Sequence, residues 1–309
     1  MRAPRLLSHV LLPVLAAGLL ACCHGRGESA QPGGSSPVDA VHTSVKLLKA
    51  GNFNGLWKQV LPPEEYANLR SDWNRRPPGP SPGAGERARF DLAMQQLTAP
   101  DAAATLYARW QPKLAALERR YGDQVPILVS IGEAMSKRAV ARNPRLSPAR
   151  KEQADEVLDA LLPWAQSAPW FDPVRARQAI EVAVATARKL DLHSLEQAQA
   201  LDFDASMDKY AIGYRGLKQV LAIYGLPLDA TLDSARLSEV SRDQDQALVR
   251  IDCTLLGKPL STEVRLLRLD GRWYNQDLVE SVRQSHRRLA RPAASGSAPT
   301  AAPAAARTE

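Results

Sequence analysis

Cysteine is scarce in this chain. There are three in 309 residues, and two of them, Cys22 and Cys23, are adjacent near the amino terminus. Cys253 stands alone in the rest, which excludes a fold held by several disulfides. It falls in an alternating strand pattern, so a buried, inert thiol is expected. Histidine is almost as sparse. His24, His42, His193 and His286 follow Cys22, and none belongs to an HExxH or another compact ligand set. No metal and no cofactor are expected. There is no GxSxG, no P-loop and no dinucleotide fingerprint. Basic residues are scattered rather than gathered into a patch, so no nucleic-acid partner is expected from the formal charge of +7. Long apolar runs are also missing, apart from Leu6 to Leu20. That run is interrupted by Ser8, His9 and Pro13 and is short for a span of about 20 residues.

Three acidic or serine patterns are weaker than they look. Asp202, Asp204 and Asp208 lie close together, but the glycine and terminal glutamate of a calcium loop are missing. Asp204 or Ser206 reads as a helix cap instead. Ser206-Met207-Asp208-Lys209 fits S-x-x-K, yet no KTG or SDN follows. Asp155, Glu156 and Asp159 share a helix face beside Arg150 and Lys151, which reads as solvation. No catalytic residue is nominated.

What is present begins with Arg2 and Arg5, then the apolar run, an arrangement that reads as an export signal. It closes on Leu19-Leu20-Ala21-Cys22. This resembles the lipobox of bacterial lipoproteins: an aliphatic residue, a small residue before the cut, then cysteine. The resemblance implies cleavage after Ala21 and lipidation of Cys22. Several acyl chains on one residue would hold a domain at the bilayer, where one chain binds only marginally. Cys23 is not the aspartate that favours inner-membrane retention in that family. The resemblance therefore implies the outer membrane, periplasmic face. Ala17, Gly18 and Ala21 leave open an ordinary secretory signal and a soluble periplasmic or secreted protein.

Composition divides the remainder. Residues 1–21 form the signal, 22–36 a glycine- and serine-rich tether, 37–288 the folded part, and 289–309 an alanine- and proline-rich disordered tail. Ser36 suits an N-cap and Pro37 the first helical position. Val38, Val41, Val45 and Leu48 then repeat at helical spacing, with an end near Gly51. Further helices are expected at Gly55–Val60 and Pro62–Asn74. Arg75 to Gly85 is a loop. A helical middle, 86–233, holds helices at Glu86–Leu97, Asp101–Arg120, Val125–Val140, Pro148–Leu162, Pro173–Leu190, Ser194–Leu201 and Ser206–Tyr224. In the helix opened by Asp172-Pro173, Val174, Ile180, Val184 and Ala187 share one side. From residue 235 to 277 the period becomes two. Ala247, Val249, Ile251, Cys253 and Leu255 alternate, as do Leu260, Thr262, Val264 and Leu266. Asp270-Gly271 is a hairpin signal, and Arg236 to Val240 is an earlier strand. The fold class is α+β: a mostly helical body with a carboxy-terminal antiparallel sheet of three or four strands.

"SPVDAVHTSVKLLKAGNFNGLWKQVLPPE" and "VRLLRLDGRWYNQDL" resemble the opening and closing of bacterial NTF2-like lipoproteins, including DUF4878-type domains. The carrying features are the Pro-capped helix, Gly51-Asn52, and Trp273 after the Asp-Gly turn. The match covers residues 37–72 and 236–280. It implies a cone-like fold with a large helical insertion. Trp57, Trp73 and Trp273 are then candidates to line a pocket, although aromatics at these spacings also serve as core. The expected function is non-enzymatic: a lipid-anchored envelope protein that binds or scaffolds a periplasmic partner. The alternative is a ligand-pocket module or hydrolase acting on an envelope-derived small molecule.

Overall fold

Local capping chemistry starts the fold. In a computed structural model that describes residues 31–75, 82–144 and 146–290, the Ser36 hydroxyl accepts a bond from the Asp39 amide at 3.1 Å, and helix α1 (Pro37–Ala50) begins. Gly51 ends it in the left-handed region, at φ 66°, and its amide returns to the carbonyls of Leu47 and Leu48. Asn52 then caps α2 (Phe53–Val60), accepting from the Gly55 amide at 2.8 Å. The Gly-Asn pair is therefore a joint: one residue stops a helix and the next starts another. Ala40, not Val38, joins Val41, Val45 and Leu48 on the buried face of α1.

The body continues through α3 (Pro63–Arg75), α4 (Ala84–Thr98), α5 (Ala102–Tyr121), α6 (Val125–Arg142), α7 (Pro148–Ser167), α8 (Pro173–Leu190), α9 (Leu195–Gln199), α10 (Phe203–Ile223) and α11 (Leu228–Asp233). Asp202 is the N-cap of α10, accepting from Ala205 at 2.8 Å. The cap is thus neither Asp204 nor Ser206. Ser206 is buried and faces the Leu201 carbonyl. In α8 the buried residues are Ala176, Val184 and Ala187, while Val174 is exposed. Helix α7 runs on through Pro163 rather than stopping before it. Pro163 has no amide to offer the Asp159 carbonyl, and the Lys258 ammonium fills that place at 2.7 Å. Long cations serve helix ends elsewhere. Lys218 donates to Lys49 O at the end of α1, Arg175 to Ile223 O at the end of α10, and Arg188 to Ala99 O and Pro100 O after α4.

Strands β1 (Arg236–Arg242), β2 (Gln246–Leu255), β3 (Lys258–Leu269) and β4 (Arg272–Asn275) form one antiparallel sheet in the order β1-β2-β3-β4. The α+β class and the terminal antiparallel sheet are as the alternation implies. Two-residue turns join β2 to β3 through Leu256-Gly257 and β3 to β4 through Asp270-Gly271, all four residues at positive φ. Ala247, Val249, Ile251, Cys253 and Leu266 meet α1 and Trp273 on one face. Along β2 the other face is wet, with an Arg250–Glu263 pair across to β3 at 3.1 Å. Burial pushes the Cys253 thiol above its ordinary range.

Helix α11 is not among the expected helices, and two further features go beyond the sequence reading. The chain does not end its structure with β4: α12 (Gln276–Ala290) follows. Val279 and Val282 bury against Val60, Leu61 and Tyr274 on the second face of the sheet. Glu65 and Asp72 are buried on α3. Arg283 pairs with Glu65, and His286 Nδ1 lies 3.0 Å from Asp72. Residues 31–36, read as tether, are docked. Gly34 forms a bridge with Trp273 through two 3.0 Å backbone bonds. Residues 1–21, 22–30 and 291–309 lie outside the described residues, so the signal, the lipidation site and most of the tail do too.

Candidate interaction surface

Helix α6 has no buried residue. It packs on α7 along one side only. There Lys137 bonds Asp159 at 2.5 Å and Glu133 at 3.0 Å, and Lys151 reaches Ala141 O at 2.7 Å. Those bonds, to Asp159 first, hold the Lys137 ammonium above the usual lysine range, and the same contact holds the Asp159 carboxyl below the usual carboxylate range.

The other side of α6 is apolar and open to water. Met135 is 68% exposed, Ile127 63%, Ile131 53% and Leu128 48%. Residues 128, 131 and 135 follow a 3–4 spacing that continues to Arg138 and Arg142, so one stripe carries apolar groups and then two cations. Pro126 in the first turn and the uncharged run Val125–Gly132 make this half of the helix a strong apolar ridge. Between the ridge and Gln166 of α7 lies an open groove of about 410 Å³, floored by Ser130 and Ala134. Gln166 Nε2 donates to Ser130 Oγ at 3.0 Å. A second groove of about 370 Å³ continues past Gln166 to Trp170 and Phe171. Its wall is rigid. Trp170 stacks on Tyr224 and meets Trp164 edge-on, both with centroids 5.3 Å apart. Trp164 Nε1 donates to Tyr224 O at 2.8 Å. Burial first, then Asp172, pushes the Tyr224 phenol above its ordinary range.

The tryptophans singled out from the sequence lie elsewhere. Trp57, on α2, packs into the clusters that α2 forms with α10 and with α12, and Trp73 meets Phe203 edge-on at 5.7 Å. Trp273 is 4% exposed beneath α1, with the guanidinium groups of Arg242 and Arg268 about 6 Å from its ring. None lines either groove. Asp159 sits at the α6–α7 contact, and Asp155 Oδ1 is buried and without a hydrogen-bond partner. Asp204 pairs with Arg70, and Asp208 accepts from Asn54 at 3.0 Å. Among the described residues no group of three or more His, Cys, Asp or Glu side chains is placed to hold a metal ion, and no helix is long and apolar enough to cross a membrane. The sequence signal for the ridge was "VPILVSIG", read only as part of a helix. No protein-family model, no curated protein and no solved structure matches this chain.

Proposed function

We propose that the protein is a lipid-anchored envelope protein, held through Cys22 at the periplasmic face of the outer membrane, whose work is to bind a protein partner on α6. The observation that carries this reading is the exposed stripe of Leu128, Ile131 and Met135 with Ile127 beside it. Fully covering one fully exposed side chain of this kind is worth about 1.5–3 kcal/mol, and at these four half- to two-thirds-exposed positions the fold forgoes roughly half of that each. Contiguous exposed apolar groups of this kind mark association surfaces. The partner's chemistry follows from the stripe: an apolar helix face that ends in acidic residues opposite Arg138 and Arg142. The passage of α1 across the buried face of the sheet supports an NTF2-like architecture for the two ends of the domain. The ligand-pocket reading has less support, because Trp273 is packed under α1.

A photo-reactive side chain at Ile131 in living cells tests the binding role. An adduct with a second protein is expected, weakened by Leu128→Glu and by Arg138→Glu with Arg142→Glu. Adducts only with lipid, only with another copy of the chain, or insensitive to these changes would refute it. The intact mass of protein from detergent-solubilised membranes tests the anchor. Loss of residues 1–21 with a gain of diacylglycerol and one acyl chain is expected, and Cys22→Ala should abolish both. An unmodified, soluble protein would remove the anchor from the reading.

A further inference from the structure

The stretch before α1 is built into the domain by several independent contacts. One guanidinium, that of Arg272, reaches three successive carbonyls: Gln31 O at 3.0 Å, Pro32 O at 3.1 Å and Gly33 O at 2.5 Å. The Tyr274 hydroxyl donates to Pro32 O at 3.3 Å, and the Gly33 amide to Gln59 O at 3.0 Å. The approach is too close for side chains. A Cβ on Gly33, at φ 77°, would meet the Tyr274 ring at 2.7 Å, and one on Gly34 would meet the Ala40 backbone at 2.3 Å. Residues 31–36 therefore wrap the β4 edge as a strap.

The strap fixes where the chain leaves the domain. Pairing aligns Arg242 with Ala247, Gln246 with Leu267 and Leu269 with Arg272. The turn at residues 243–245 and the Asp270-Gly271 turn thus share one end of the sheet, and Arg272, whose side chain holds residues 31–33, follows the second of them directly. The Leu256-Gly257 turn is at the other end, where Lys258 meets Asp159 of α7, and the α6 ridge lies beyond it beside Gln166. From Leu269 to Lys258, β3 rises about 37 Å. From Cys22 to Gln31 the chain can reach at most about 32 Å.

We propose that the strap holds the domain on this short leash with the 243–245 and 270–271 turns facing the lipid surface, and projects the α6 ridge away from the bilayer. The inference rests on lipidation of Cys22. The lipid-facing end carries Arg242, Arg268 and Arg272 against Asp243, Asp245, Asp270 and Glu239, the last paired with Arg242. It has no excess of positive charge, so the leash and not electrostatic attraction sets the orientation, and high salt leaves it unchanged.

Energy transfer to lipid tests this. Full-length lipidated protein in a Cys23→Ser background carries a donor dye at Asp243→Cys or at Ile127→Cys. It is placed in phosphatidylethanolamine–phosphatidylglycerol vesicles containing acceptor-labelled lipid, and flotation is measured on the same samples. Transfer from position 243 should exceed that from 127 by at least about twofold, given the length of the sheet. A Gly/Ser insert of about ten residues between Ala30 and Gln31 should bring the two values together by doubling the reach. Floating protein with equal transfer, or stronger transfer from 127, overturns the orientation and leaves the anchor standing. Protein that does not float overturns the anchor, and the leash with it.

Discussion

Removing Arg283 should cost the domain more than a surface ion pair would. Its guanidinium holds Glu65, whose side chain is 5% exposed, while Arg283 itself is 47% exposed. Breaking a fully buried pair costs about 3–5 kcal/mol because one charge is stranded. An exposed pair is worth about 0.2–1 kcal/mol. Here the stranded group is the buried carboxylate, while its partner is half exposed. Arg283→Met should therefore cost about 2 kcal/mol, between those limits. Glu65→Gln leaves a half-exposed cation and should cost less, about 1 kcal/mol. The double variant places two uncharged groups together. Its cost should fall below the sum of the single costs by about 1–2 kcal/mol. Urea unfolding followed by far-ultraviolet circular dichroism measures all three. Additive costs would refute the coupling, and with it the role of this pair in fastening α12 to α3.

Three further outcomes follow from other contacts. Gly216 lies in α10, where alanine would ordinarily gain about 1 kcal/mol, but a Cβ there would meet Thr186 Oγ1 at 2.3 Å. Gly216→Ala should therefore destabilise by about 1–3 kcal/mol, and adding Thr186→Ala should recover part of it in the same urea assay. Burial, then Asp229, pushes the Tyr214 phenol from 10.0 up to about 12. The folded state then keeps a proton that the unfolded state sheds, so stability falls as pH rises from 10.0 towards 12. Tyr214→Phe should flatten that part of the urea-midpoint profile. Cys253, buried with a raised thiol pKa, should react with a disulfide reagent at mildly alkaline pH only once urea opens the sheet, and fast labelling of the native protein would contradict its placement.

The sequence by itself determined what depends on neighbours a few residues apart. Ser36, Gly51, Asn52 and Asp172 act on amides or carbonyls within one helical turn, and Asp270-Gly271 closes its own hairpin. The alternation from Ala247 to Leu255 names its buried face because side chains in a strand point to opposite sides in turn. Only the tertiary structure decided the rest. Ile127, Ile131 and Met135 have the same spacing whether a helix face is covered or bare, and no local signal tells the two apart. Trp57, Trp73 and Trp273 looked alike as aromatics and were sorted by what packed over them. Helix α12 carries few apolar residues, and its partners Glu65 and Asp72 lie more than 200 residues earlier in the chain. The glycines and serines before Pro37 have the composition of a tether. They became a strap because Arg272, Tyr274 and Ala40, distant in sequence or beyond the cap, leave room there for backbone alone.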